Sequence, residues 1–469
     1  MNKPLSPITR RALLQKASAL ALTPAVAPLG LGLMGMANAA AQTAAADYKA
    51  LVYVFMNGGN DCYNTVVPYD TDNYNRYFAL RKGTESGIYS GIAVLRSALA
   101  STVLGTQGLP DGMQMALNPV MTGLKSVFDA KRAGIVMNMG LLNVPTSLDQ
   151  FRRKSVPLPL HMFSHTQARN WDYGSVPSLG WGGQMADLFL QDNAKASLTA
   201  ISVGGRLGFL GGEAARGYTS SASGPVAVSA LVSGNLYGSV ACADVLNTLI
   251  RQPSTHLMEA EYAAATRNSL DLRDTVLNAI GTTLPDKYKA WFVSGSGLSA
   301  SLQMVARLIE QGAALGMERQ VFTVSMGGFD NHDYLVANHP GLVGSVSTAL
   351  AEFDAAMVGL NMAQSVTTFT GSDFGRKLTS NGDGTDHGWG GHQFVMGGAI
   401  NGGRFLGQSP ITGTGHGLDV GGGALLPTTA TEQLSVELGR WFGVSDADLG
   451  AIFPNSRNFD LHRLGVFRV

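Results

Sequence analysis

Ala50-Leu51-Val52-Tyr53-Val54-Phe55-Met56 runs directly into Asn57-Gly58-Gly59-Asn60-Asp61. An unbroken apolar run rich in β-branched and aromatic residues reads as a strand buried on both faces, the kind found inside a parallel sheet. The glycines after it permit a tight turn with no side chain in the way, and an aspartate stands just beyond. The same grammar returns twice. Gln320–Ser325 leads into Gly327-Gly328-Phe329-Asp330-Asn331-His332, and Val366–Thr370 leads into Gly371-Ser372-Asp373-Phe374-Gly375-Arg376. Gly134–Met139, Leu198–Val203 and Gln393–Met396 are further short strands. Helical patterns lie between them, at Pro119–Lys131, Met258–Ile280 and Leu298–Gly312. The clearest sets Leu342, Val346, Leu350, Phe353, Met357 and Leu360 on one face. This alternation predicts an α/β fold, a mostly parallel sheet covered by helices on both faces. Sites in such sheets form beyond the carboxyl ends of the strands, where these three aspartates fall.

The 469 residues carry 33 Lys+Arg against 33 Asp+Glu, so no basic footprint marks a nucleic-acid partner. Glycine, at 59 residues, is close to twice its average share of about 7%, but it is scattered through loops, which excludes a collagen-like repeat. The chain opens with Thr9-Arg10-Arg11-Ala12-Leu13-Leu14, an apolar run to about Met36, and Ala37-Asn38-Ala39. Paired arginines before an apolar stretch and a small-residue cleavage site describe a twin-arginine signal peptide. Residues 1–39 are therefore expected to be an export signal, and 40–469 one large α/β domain with loop-rich insertions. The expected partner is the twin-arginine export machinery, and the expected location periplasmic or secreted. Gly30, Gly32 and Gly35 spell a dinucleotide-binding pattern but follow no strand, so the match is accidental. No later apolar run reaches 18 residues, so no stable membrane span is expected in the mature protein. Cys62 and Cys242 lack zinc-type spacing, and the sequence leaves their pairing open.

Chemistry-bearing residues gather at the predicted strand ends. Gly384-Thr385-Asp386-His387-Gly388-Trp389-Gly390-Gly391-His392 leads into the sixth strand, and His392, five residues past His387, is expected to point away along it. In Pro157-Leu158-Pro159-Leu160-His161-Met162-Phe163-Ser164-His165, a helix start would put His161 and His165 on one face, with Ser164 in its first turn. There the free N–H groups and the helix dipole would favour an anion. Asp61, Asp330, His332, Asp373, Asp386 and His387 could then hold one or two divalent ions, zinc first, with magnesium, manganese or calcium for an oxygen-rich set. Ser164 is the candidate nucleophile, and Arg376 a bidentate partner for a tetrahedral anion. The chain has no Gly-Lys dipeptide, no G-x-S-x-G and no H-E-x-x-H, which excludes a Walker A loop, a nucleophile elbow and the common zinc-protease helix.

Taken together, the twin-arginine start, Gly58-Gly59-Asn60-Asp61, Ser164-His165, Gly327–His332, Ser372–Arg376, Gly384–Gly388 and the stretch Leu434–Asn455 resemble the bacterial domain-of-unknown-function family numbered 1501. That family is grouped with the alkaline phosphatase and sulfatase superfamily and has no assigned substrate. The resemblance implies an alkaline-phosphatase-like fold. It implies metal ligands at Asp61, at Asp330 and His332, at Asp373 and at His387. Phe374 stands where the superfamily has a ligand histidine after the Asp373 position, with Asp386 or His165 as substitutes. Neither cysteine nor Ser164 has the C/S-x-P-x-R context that a formylglycine sulfatase needs. The leading expectation is an exported metal-dependent hydrolase of phosphate or sulfate esters, small-molecule or polymeric, with Ser164, His165 and Arg376 as catalytic residues. The alternatives are a non-catalytic exported protein that binds a cell-surface polymer or a partner protein, and a metal-free serine hydrolase using Ser164 with His161 or His165.

Overall fold

The computed structural model describes residues 48–82, 91–166, 172, 179–205, 208–225, 228–252, 254–460 and 464–468. The expected export signal lies outside them. Among the described residues the main sheet is built from β1 (Lys49–Met56), β2 (Ala133–Gly140), β3 (Ala200–Val203), β4 (Tyr218–Ser221), β5 (Gly224–Pro225), β6 (Arg319–Met326), β7 (Val366–Ser372), β8 (Gly391–Met396), β9 (Phe405–Leu406) and β10 (Thr429–Ala430). Their order is β9-β2-β8-β7-β1-β6-β3-β4-β5, with β10 also on β2. Pairing is parallel except where β8 runs against β7 and β2, and β5 against β4. All six strands expected from the sequence are present, the sixth antiparallel to its neighbours.

β1 is buried on both faces, as its unbroken apolar run requires. Leu51, Tyr53 and Phe55 join one core with Trp181 and Met185 of the helix Trp181–Asp187 and with Leu434, Leu438 and Phe442 of the helix Thr431–Phe442. The alternate residues Val52 and Val54 point the other way. The helices Gly297–Glu310 and Leu335–Gly359 pack on each other, and the first of them on β6 and β3. Leu335–Gly359 is long and apolar enough by length and composition to cross a membrane, yet Val343, Val346, Leu350, Phe353 and Met357 are buried within the protein.

Register brings the ends of the central strands level. Met56 lies opposite both Met326 and Ser372, so β6, β1 and β7 reach their carboxyl ends together. The three glycine-aspartate loops therefore leave the sheet side by side.

Candidate metal centre

The loop after β1 approaches its neighbours too closely for any side chain. Gly58 has φ +121° and lies so near that an added Cβ would sit 2.5 Å from the backbone nitrogen of Asp330. Gly59, at φ +85°, presses against the ring of Phe374. This contact draws the three loops together, and the Gly58 N–H donates to Asp373 Oδ2 at 2.5 Å.

Above the glycines, imidazole and carboxylate groups converge. His165 places Nδ1 3.1 Å from Asp373 Oδ2 and Nε2 3.3 Å from Asp330 Oδ2. His387 lies with Nδ1 2.8 Å from the carbonyl of Phe163 and Nε2 3.3 Å from Asp330 Oδ1. His332 Nε2 is 3.2 Å from the same oxygen and 2.9 Å from His387 Nε2. One ligand atom each from His165, Asp330 and His387 falls within 4.8 Å of the others. Ligand atoms about 2.0–2.1 Å from a tetrahedral zinc stand about 3.3 Å from one another, so these spacings suit a shared ion.

Tautomers point the same way. With an ion bound, Nδ1 of His387 and Nδ1 of His165 would donate to the Phe163 carbonyl and to Asp373, leaving each Nε2 lone pair for the ion. Such outer partners are what a metal-bound imidazole needs to be fixed in orientation. Partial burial holds the His387 imidazole below its usual pKa, against the pull of the Phe163 carbonyl and the Asp330 carboxylate. Burial would raise the Asp330 carboxyl, but the bound Arg376 guanidinium, with His332 and His165 nearby, holds it below the usual range.

Several residues expected at the metal stand elsewhere or act differently. Asp61 is sealed in a buried ion pair: Oδ2 lies 2.9 Å from Arg81 Nη1, and Oδ1 3.0 Å from Arg81 Nη2. Oδ1 also caps the helix Cys62–Thr65 through the N–H groups of Tyr63 and Asn64, and Thr385 donates to Oδ2 at 3.3 Å. No lone pair is left facing the centre. Asp373 is buried, and its Oδ2 lies 2.5 Å from the Gly58 nitrogen and 3.1 Å from His165 Nδ1. Asp386 receives Asn381 at 3.2 Å and Lys377 at 3.3 Å, and sits 3.7 Å from His332 Nδ1, behind that ring.

The expected catalytic residues change role as well. Arg376 is wholly buried, and donates to the carbonyls of Gly59, Gly58 and Thr385 at 2.8, 2.8 and 2.6 Å as well as to Asp330. Its guanidinium is committed to the scaffold and does not hold a substrate anion. Ser164 donates its hydroxyl to the carbonyl of His161 at 2.7 Å, and both ring nitrogens of the adjacent His165 face aspartates. No helix joins His161 to His165, because His161 and Phe163 adopt φ of +56° and +63°, outside the right-handed helical region. His392 is buried, accepting the Asn138 N–H at 3.1 Å, and lies apart from the centre, as expected. Cys62 is buried and Cys242 exposed, and neither forms a disulfide. Phe374 is a wall: its ring centroid is 4.0 Å from that of His387 and 5.1 Å from that of His165. Arg81 and the Phe163 carbonyl gave no signal in the sequence, since a lone arginine at a helix end and a backbone oxygen carry no motif.

Residues 240–448 match the family model described as "Protein of unknown function (DUF1501)", which bears out the resemblance read from the motifs over that span. The span includes Asp330, His332, Phe374, Arg376 and His387, and ends short of His165 on the amino-terminal side. No curated protein matches the sequence. Among solved structures, the chain is similar to the lipoteichoic acid synthase LtaP from Listeria monocytogenes, at 8% identity and TM-score 0.36, covering 89% of this chain and 76% of that one. It is also similar to the PsFucS1 sulfatase from Pseudoalteromonas sp., at 11% identity and TM-score 0.31, covering 90% and 74%. At such identities and TM-scores neither likeness says what this chain does.

Proposed function

For a chain that matches a family of unassigned activity, we propose an exported, metal-dependent hydrolase of phosphate or sulfate esters on an alkaline-phosphatase-like fold. Its centre is His165, Asp330, His332 and His387. The observation that carries this reading is the gathering of one ligand atom each from His165, Asp330 and His387 within 4.8 Å of one another, with His332 Nε2 beside Asp330 Oδ1 and His387 Nε2. The donor set fits a divalent ion of zinc type. Such an ion would supply Lewis-acid polarisation of an anionic ester oxygen. The protein's own residues do the rest: Asp373 and the Phe163 carbonyl fix two imidazoles, Arg376 fixes Asp330, and the Phe374 ring keeps water from one side. Among the described residues the Ser164 hydroxyl donates to the His161 carbonyl and faces no base, so this reading assigns the attack to water and not to the serine.

Protein purified without a histidine tag should retain divalent metal and cleave at least one of a phosphate monoester, a phosphodiester and a sulfate ester. His387→Ala should abolish turnover, and Ser164→Ala should leave it intact. Turnover that survives His387→Ala would contradict the proposal. A second reading, a non-catalytic exported binder, is favoured by the commitment of Arg376 to backbone carbonyls, which leaves that guanidinium unable to grip a substrate anion. Tightly held metal without turnover on any of the three esters would select it. Export by the twin-arginine route is part of the proposal, and Arg10→Lys with Arg11→Lys should leave the protein in the cytoplasm.

A further inference from the structure

Eight of the seventeen exposed large apolar side chains among the described residues fall between residues 232 and 262. From Gly217 to Ala243 the sequence holds no charged residue, yet Val232, Tyr237 and Val240 stand in solvent, Tyr237 at 96%. The segment continues as two helices, Val240–Arg251 and Leu257–Ile280, tied by a hydrogen bond that Arg267 Nη1 donates to the Ile250 carbonyl at 3.0 Å. The first of these helices spends little of its surface on the protein. Within it only Ala243 is buried, with Leu246 and Ile250 half-buried on the same side. Its other face carries Cys242, Val245 and Leu249, all exposed and spaced by three and four, which is the seam of a helix pair. At the start of the next helix Leu257, Met258 and Tyr262 are exposed as well. Apolar side chains gathered in this way mark an interaction surface.

We propose that this arm, residues 229–252 and 254–262, docks on the same arm of a second copy of the chain, around a two-fold axis near Asn247. An antiparallel pairing there sets Val245 over the partner's Leu249 and Leu249 over the partner's Val245, because the two positions lie equally far from 247. It also brings Asp244 level with the partner's Arg251, so that opposite charges meet. The ends of the patch exchange in the same way. The turn between the helices puts Leu257 and Met258 beside the carboxyl end of Val240–Arg251, and the two-fold axis turns them toward the partner's Tyr237 and Val240. Size agrees, since a standard interface takes roughly 20–30 residues a side. A membrane or a nucleic acid suits the arm less well. Residues 240–262 hold Asp244, Glu259 and Glu261 against one arginine, Arg251, where an anionic lipid surface or a phosphate backbone calls for a basic face. The arm shares no residue with the metal centre, so this inference stands apart from the hydrolase reading.

Sedimentation equilibrium of the whole protein is the test. Across about 1 to 100 μM, the range of moderate affinities, the mass should rise to twice that of one chain. Val245→Asp with Leu249→Asp sets like charges against each other in the seam and should weaken association by at least about 100-fold, leaving single chains. Both positions are exposed, so the circular dichroism and the urea midpoint should stay put. Val293→Asp, at an exposed apolar residue outside the arm, should leave the dimer intact. A single-chain mass for the wild type at every concentration would overturn the proposal, and so would a dimer that survives the double substitution. A mass beyond two chains would also sink it, because a two-fold contact closes on itself. Hydrogen exchange locates the contact without a substitution: the amides of 240–251 should slow on dimerisation, and slowing confined to another face would contradict the arm. With phosphatidylglycerol vesicles the wild type should stay in the supernatant. Co-sedimentation that Val245→Asp with Leu249→Asp abolishes would replace the second copy by a lipid surface.

Discussion

Two aspartate–arginine pairs sit within a few residues of adjacent strand ends, and they have opposite fates. Asp61 and Arg81 are both buried, joined bidentately, and every lone pair of the carboxylate is filled from within the protein. In the other pair Arg376 is equally buried, but the Asp330 side chain is 41% exposed and keeps one oxygen out of the guanidinium's grip. The lesson is that an acidic residue at the mouth of a sheet is a ligand only if its neighbours leave it a lone pair to give. The first pair is architecture, and the second is half architecture and half candidate site.

The sharpest way to break this contrast is to remove one partner of the sealed pair. Asp61→Ala should cost about 3–5 kcal/mol of stability, because it strands the Arg81 charge in the interior. Urea unfolding measures it, and a loss under about 1 kcal/mol would mean that water reaches the pair. Burial supports the same interior in a second way. It pushes both His339 and His392 down to about 4, so they are neutral in the folded protein. A histidine with a depressed folded pKa contributes stability that is whole above its unfolded value of about 6.5 and is lost as pH falls toward the folded value. Stability should therefore drop between about pH 6.5 and 4, by up to about 3 kcal/mol for each ring, and His392→Gln should flatten part of that slope in acid titrations followed by circular dichroism. At the open pair the effects move from folding to binding. His387→Ala should weaken zinc by at least about 100-fold, near 2.7 kcal/mol, while shifting the metal-free urea midpoint little, since its ring lies at the edge of the interior. Asp373→Asn, which loses the charge but keeps the shape beneath His165, should weaken zinc by about 10- to 100-fold. Calorimetry ranks the last two, and a larger effect for Asp373→Asn would make that residue a ligand after all.

The sheet was legible because its signal is local. Ala50–Met56, Gln320–Ser325 and Val366–Thr370 each declare a buried strand within seven residues, and the glycines declare where each one stops. That Asp330, His332 and His387 meet was legible in part for the same reason: each follows a glycine turn. Asp61 misled because the sign that marks a strand-end ligand also marks a helix cap, and Cys62–Thr65 turns on that cap. What decides between them is Arg81, on a helix whose sequence gives no reason to fold inward. His165 and Asp373 lie 208 residues apart, a distance over which no spacing rule speaks. Ser164 and Arg376 were assigned by residue type, and type alone does not say that a hydroxyl is already donating or a guanidinium already full.

Gly59 and Phe374 occupy one another's space, so neither position can drift alone. A methyl group at 59 demands a slimmer partner, and a slimmer partner vacates a notch beside His387. An engineer wishing to install a binuclear catalyst in this scaffold would begin with that notch, swapping the phenyl for a donor while leaving the glycine hinge untouched.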